Sequence, residues 1–125
     1  MTDKFDTSKP IYKQIADQLY WRMIRGELQP GDKLPSVREC AVEFKVNPNT
    51  VARTYNEMER EKVVKTKRGQ GTFVTTDENV LFDLKESMKK IHIEEFVHEM
   101  EEMGYTEEEM VASLQEYLDG RDTND

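Results

Sequence analysis

Ser36-Val37-Arg38-Glu39 and Asn47-Pro48 are two helix starts set so close together that only Lys45 and Val46 remain to join the helices they open. The first is a capping box, in which the Ser36 hydroxyl and the Glu39 side chain can each accept a bond from the other residue's exposed backbone amide. The second offers Asn47 as an N-cap and Pro48 at the first helical position, where a missing N–H costs nothing. The first of the two helices ends around Phe44 or Lys45. The pair is therefore forced about a tight turn of the length used by helix-turn-helix units.

On a wheel of about 100° per residue, Val51, Tyr55 and Met58 fall together, and Asn49, Arg53, Asn56 and Arg60 fall nearly opposite them. One face packs. The other offers amide and guanidinium groups of the kind that pair with base edges or phosphates in a DNA major groove. A merely solvated face would explain the same residues in an isolated helix, but here a basic hairpin follows directly. Val63-Val64-Lys65-Thr66-Lys67 and Thr72-Phe73-Val74 read as two short β-branched strands joined through Arg68-Gly69-Gln70-Gly71. Glycine at the tip lets the backbone approach a groove closely, where Lys65, Lys67 and Arg68 would meet phosphates.

These motifs, at this spacing, resemble the helix-turn-helix and wing of the GntR family of bacterial transcription factors. The family pattern runs LPS-x-R-x-L-A, then N-x-x-T-V-x-R-A-Y-x-x-L-E, then G-x-G-T-F-V. Leu34, Pro35, Ser36, Arg38 and Ala41 match, as do Asn47, Thr50, Val51, Arg53, Tyr55 and Glu59, and Gly69, Gly71, Thr72, Phe73 and Val74. Cys40 and Met58 replace leucines, apolar for apolar, and Pro48 stands where other branches often carry a polar or basic residue. The chain is most similar to the YtrA type, a winged helix with a short two-helix tail. The resemblance implies a dimeric repressor, often of its own operon and neighbouring transporter genes, with operators built on inverted GT…AC half-sites. It also implies DNA contacts from Arg38, from Asn49, Thr50 and Arg53, and from Arg68, Gly69 and Gln70. Asn56 and Lys67 join that set from the helical stripe and the hairpin.

The flanks complete the fold class: mainly α with a small β-hairpin, a winged helix-turn-helix domain over residues 9–76 and a helical dimerisation tail over residues 77–125. A first helix begins near Pro10, capped by Ser8 or Lys9. Its core stripe of Ile11, Ile15, Leu19 and Met23 is widened by Tyr12, Ala16 and Ile24, and Arg25-Gly26 stops it. Pro30-Gly31 suits a type II turn. After a polar linker at residues 77–79, Leu81, Leu84, Met88, Ile91, Phe96, Met100 and Met103 form a helical stripe closed by Gly104-Tyr105. A last helix opens on the capping box at Thr106 and Glu109, carries Met110, Val111, Leu114, Tyr117 and Leu118, and stops at Gly120, leaving residues 121–125 frayed.

Two helices in this tail cannot enclose so much Met, Leu, Ile and Phe alone. Leu84, Met88, Ile91, Phe96, Met100, Met103 and Leu114 are accordingly expected to meet a second copy, giving a two-fold dimer suited to a palindromic operator in double-stranded DNA. The alternative is that both helices fold back on their own winged domain.

The net charge of −8 is uneven. Residues 1–76 hold 14 Lys+Arg against 10 Asp+Glu, a net of +4, and residues 77–125 hold 4 against 16, a net of −12. Binding to phosphates depends on the charges that touch them, so a locally basic half suffices. At 125 residues there is no room for a large catalytic or sensing domain. No leader follows Met1-Thr2-Asp3-Lys4, no apolar run approaches a membrane span, and a lone Cys40 on a core stripe suits a reducing compartment. A cytoplasmic protein is expected.

Other readings are weaker. A winged-helix protein–protein adaptor would need no cation stripe. An enzyme would need a nucleophile–base pair, which is not apparent. His92 and His98 among Glu94, Glu95, Glu99 and Glu102 suggest a metal site, but a solvated acidic helix face explains them as well. No cofactor is expected. A small-molecule effector of unknown identity would have to bind at the seam of tail and winged domain or at the dimer seam.

Overall fold

The computed structural model describes residues 5–124. Five helices and one hairpin follow in the order α1 (Ile11–Ile24), α2 (Val37–Phe44), α3 (Pro48–Arg60), β1 (Val64–Lys67), β2 (Gly71–Val74), α4 (Glu78–Glu102) and α5 (Glu107–Asn124). They form two compact units, one ending at Lys85 and one beginning at Glu86. The short N-terminal stretch Met1-Thr2-Asp3-Lys4 and the terminal Asp125 lie outside the described residues.

In the first unit, α1, α2 and α3 enclose a core of Ile15, Leu19, Met23, Cys40, Ala41, Phe44, Val51, Tyr55 and Met58. Helix α1 departs from expectation at its start. Pro10 itself is the N-cap, with extended dihedrals and no side-chain cap. Ser8 is instead drawn to Asp6, whose Oδ1 accepts from its amide at 2.8 Å and its hydroxyl at 2.6 Å. Gln14 clamps the lead-in, donating to the Asp6 and Lys9 carbonyls and accepting from the Asp6 amide. Ile11, placed by its spacing on the core stripe, is 44% exposed because it lies on the first turn, ahead of the packed region. Tyr20 takes up buried surface in the same helix.

The capping box of α2 closes as expected: Glu39 N–H donates to Ser36 Oγ at 3.1 Å and Ser36 N–H to Glu39 Oε1 at 2.9 Å. Lys45 ends α2 in the left-handed region at φ 58°. Asn47 then caps α3 by accepting from the Asn49 amide at 2.7 Å. Two side-chain bonds fasten α3 from behind. The Tyr55 hydroxyl donates to the Pro35 carbonyl at 2.7 Å, and the fully buried Thr54 donates to the carbonyls of Tyr12 at 3.2 Å and Thr50 at 2.9 Å.

Strands β1 and β2 pair antiparallel, with Lys65 opposite Phe73 and Lys67 opposite Gly71. A third strand segment is added that the sequence pattern did not suggest. Residues 31–34 run along the free edge of β2, where Gly31 and Leu34 donate to Val74 and Thr72, Val74 donates to Asp32, and Lys33 bridges Phe73. The turn before it carries a bond from the Asp32 amide to the Gln29 carbonyl across Pro30-Gly31.

In the second unit, Thr106 and Glu109 exchange cap bonds at 2.9 and 3.2 Å, as their spacing predicts. The expected stop at Gly120 is not made. Helix α5 continues through it to Asn124, since the glycine lacks the positive φ that a left-handed stop requires.

Burial holds the Tyr55 and Tyr20 phenols far above their ordinary value of 10.0, and the Cys40 thiol above its ordinary 9.0. Each group therefore retains its proton in the folded chain at a pH where the unfolded chain has lost it, so stability declines as pH rises through the unfolded values. Denaturant unfolding is expected to show stability unaffected by these groups at neutral pH and falling from about pH 9 upward. Tyr55→Phe should cost about 1–2 kcal/mol at pH 7 by stranding the Pro35 carbonyl, and should flatten the alkaline decline. A variant as stable as wild type at pH 7 would show that the Tyr55 bond does not hold α3.

Candidate nucleic-acid interface

The face of α3 opposite the core is bare. Asn49, Arg53 and Asn56 are exposed and Thr50 is half-buried, its carbonyl engaged by Thr54. Asn49, Thr50 and Arg53 line a shallow groove together with Pro10, Ile11 and Tyr12 from the start of α1. The guanidinium carbon of Arg53 lies 3.9 Å from the centroid of the Tyr12 ring. Sequence reasoning placed Tyr12 in the core stripe, and its half-burial there is consistent with that period. Its contact with Arg53 joins elements 41 residues apart in sequence, which a helical wheel does not report.

The hairpin is tied directly to α3. Lys62 at φ 69° turns the chain out of the helix, and the Thr66 amide donates to Glu59 Oε2 at 3.0 Å. Val64 and Val74 point inward and are buried. Directly paired residues share a face, so Lys33, Phe73 and Lys65 line the other side across three strand segments. Lys67 reaches the same face, its Nζ 4.8 Å from the Phe73 ring centroid. The Lys33 stem runs over Gly71, where a Cβ would sit 2.7 Å from Lys33 Cε. Glycine is required at position 71 by its backbone, at φ 127°, rather than by the flexible end of Lys33, and Lys33, absent from the expected site, joins Lys65 and Lys67. Its signal in the sequence was faint, because the short edge segment at residues 31–34 lacks a strand's length. Arg68, Gly69 and Gln70 form the exposed tip, closed by a bond from the Gln70 amide to the Lys67 carbonyl at 2.8 Å.

Pairing separates the cations of this unit into two groups. Arg22 is paired with Glu43, Arg25 with Glu27 at 2.6 Å and Arg60 with Glu57 at 3.2 Å. Arg60, counted on the sequence wheel with the reading stripe, therefore has its charge answered within its own helix. Among the described residues, Arg38 on the first turn of α2, Arg53 on α3 and Arg68 at the hairpin tip have no carboxylate within 4.0 Å. Positive charge left open on three elements, around a helix rich in amide side chains, suits a polyanion with readable edges.

The residues expected at a dimer seam differ in exposure. Ile91, Phe96, Met103 and Leu114 are 51%, 39%, 65% and 46% exposed, Leu84 and Met100 are half-buried, and Met88 is already covered within its own chain at 8%. His92 Nδ1 lies 3.9 Å from Glu95 Oε1, and among the described residues no group of three or more His, Cys, Asp or Glu side chains is arranged to hold a metal ion. None of the described helices is long and apolar enough to cross a membrane.

A three-residue turn, Lys45 to Asn47, between α2 and α3, with a hairpin and an edge segment beside them, defines a winged helix-turn-helix DNA-binding domain. Residues 11–74 match the gntR family of bacterial regulatory proteins. The HTH-type transcriptional regulator YhcF of Bacillus subtilis (strain 168) is 51% identical over 120 residues, covering 96% of this chain and 99% of YhcF. The HTH-type transcriptional repressor YtrA of the same organism is 42% identical over 94 residues, 70% of this chain and 72% of YtrA. A GntR family transcriptional regulator from Listeria monocytogenes superposes with a TM-score of 0.83 at 38% identity, over 90% of this chain and 98% of that one. The chain belongs to the GntR family of transcriptional regulators; it is a DNA-binding regulator and not an enzyme.

If the lysine face of the hairpin meets the DNA backbone, Lys33→Gln should weaken binding to specific and random duplexes alike. The slope of log affinity against log salt should become shallower by roughly 0.9, the share of one phosphate contact. Titrations at four salt concentrations measure this, and an unaltered slope would take Lys33 off the interface.

Proposed function

We propose that this regulator is a dimeric repressor that reads an inverted-repeat operator in double-stranded DNA. The observation that carries the proposal is the exposed face of α3, where Asn49, Arg53 and Asn56 stand free of carboxylates opposite a completely buried seam. In this reading α3 enters the major groove, and Asn49, Thr50 and Arg53 address base edges with Asn56 beside them. Arg38 contacts the flanking strand from α2. Lys67, Arg68, Gly69 and Gln70 follow the sugar-phosphate backbone, the glycine permitting close approach.

The exposed apolar residues of α4, α5 and the turn between them support pairing of two copies. Ile91, Phe96, Met103 and Leu114 lie open to water in the single chain, and burying them against a second copy about a two-fold axis would remove that cost. Met88 contributes to the packing of its own chain and little to the seam. A two-fold protein places two reading helices about 34–36 Å apart, or a multiple of this, and so selects an inverted repeat. Repression agrees with the name of YtrA. A small-molecule effector would fit the largely apolar groove of about 270 Å³ between Met23, Ile24, Leu81 and Phe82, which Glu78 and Lys85 also line. The protein would act in the cytoplasm, where its operator lies.

Selecting bound sequences from a random duplex pool tests the core of the proposal. The expected result is an inverted repeat, and recovery of no motif would favour the adaptor reading instead. On the recovered operator, Arg53→Ala should lose about 1–3 kcal/mol of binding free energy, the range for one bidentate base contact. Sedimentation should report twice the 14.7 kDa chain mass at micromolar concentration. Phe96→Asp should shift that toward the single chain and weaken operator binding. A wild-type chain sedimenting only at 14.7 kDa rules out the dimer.

A further inference from the structure

We infer that Tyr12 is a positioning residue for sequence reading: its ring holds the Arg53 guanidinium in place ahead of DNA binding without cancelling its charge. The inference rests on the reading of α3 as the base-contacting helix.

An exposed arginine is a poor recognition element by itself, because several rotatable bonds must be frozen when it pairs with a base. That ordering costs up to about 2 kcal/mol for a long side chain. Two devices can freeze it beforehand. A carboxylate does so but neutralises the charge, as Glu43 does for Arg22, whose guanidinium carbon also lies 5.6 Å from the Phe44 ring centroid. An aromatic ring does so while leaving the charge in place. The Arg53 carbon at 3.9 Å from the Tyr12 centroid is the closer stack, and among the described residues no carboxylate lies within 4.0 Å of it. Stacking engages the face of the planar guanidinium, and its N–H edge stays available for a two-pronged acceptor.

The backbone that carries the ring is itself anchored. The Tyr12 carbonyl accepts from Thr54 Oγ1 at 3.2 Å, and Thr54 is 0% exposed and directly follows Arg53 in α3. One buried hydroxyl thus fixes the backbone of Tyr12 against the turn of α3 that carries the arginine. The shallow groove lined by Tyr12, Asn49, Thr50 and Arg53 places this pair on the surface proposed to meet DNA.

The test is anisotropy titration of the full chain on its selected operator and on a random duplex of equal length, with Tyr12→Leu, Tyr12→Phe, Arg53→Ala and the Tyr12→Leu/Arg53→Ala double variant. Tyr12→Leu should lower the preference for operator over random duplex about fivefold, the scale of one cation–π contact, with random-duplex affinity holding to within about twofold because phosphate contacts are intact. Tyr12→Phe should keep the preference. In the Arg53→Ala background, Tyr12→Leu should remove nothing more, an outcome that a general loss of structure would not produce. The inference is overturned if Tyr12→Leu keeps the full preference, if Tyr12→Phe loses as much as Tyr12→Leu, or if the loss persists without Arg53. Where Arg53→Ala alone loses no preference, the reading of α3 fails and the inference with it; where Arg53→Ala loses it and Tyr12→Leu does not, only the inference fails. A second measurement needs no variant to fold: in the wild-type chain the Arg53 side-chain Nε–H proton should be shielded by the Tyr12 ring current, and an unshielded resonance overturns the stack.

Discussion

Helix α3 can leave Asn49, Arg53 and Asn56 bare because its other side is closed off completely, with Val51, Thr54 and Met58 at 0% exposure and Tyr55 at 5%. The helix is not stable by composition. Asn, Thr, Val and Tyr are all mediocre helix formers, each costing a few tenths of a kcal/mol against alanine. Burying Val51, Tyr55 and Met58 contributes roughly 1.5–3 kcal/mol apiece, which outweighs those costs. The helix therefore exists because it is packed, and the surface it shows to solvent is set by what it packs against. Thr54 illustrates the constraint: a hydroxyl in the middle of a helix is tolerable here because it bonds both to its own preceding turn and across to α1.

The same packing orients everything else on the surface. Pro35, where the chain enters α2, is tied to α3 through Tyr55, and β1 is tied to it through Glu59 and the Thr66 amide. The edge segment at residues 31–34 then fastens to β2, so α2, α3 and the hairpin are held as one rigid unit by bonds that converge on α3. Charge is distributed to match. Carboxylates cluster from residue 77 onward, where the net charge is −12, and in the winged unit Glu43, Glu27 and Glu57 each answer a local arginine. At physiological salt the screening length is about 8 Å. A polyanion at the surface therefore responds to nearby open cations far more than to the chain's total of −8.

Features governed by neighbours along the chain were legible in the sequence. The capping boxes at Ser36 and Thr106, the Asn47-Pro48 start and the opposed stripes of α3 all depend on residues within a turn or two of one another. Features governed by distant neighbours were not. The stack of Arg53 on Tyr12, the path of the Lys33 stem over Gly71 and the third strand segment arise where elements far apart in sequence meet. Gly120 shows the limit of even local signals. Glycine marks a helix end by adopting a left-handed conformation, but it is also tolerated within a helix at a cost of about 1 kcal/mol, and here it is tolerated.

The second unit carries its argument in what it fails to cover. Of its apolar side chains, Met88 and Met110 are buried, whereas Ile91, Ile93, Phe96, Met103, Val111, Leu114, Tyr117 and Leu118 are at least 39% exposed. Single exposed apolar residues are ordinary on any protein. Eight on two consecutive helices and the turn between them are not, because each large side chain left in water forgoes roughly 1.5–3 kcal/mol of burial. A chain of this size has little stability to spare. Covering that surface is the role that the proposed second copy gives these helices.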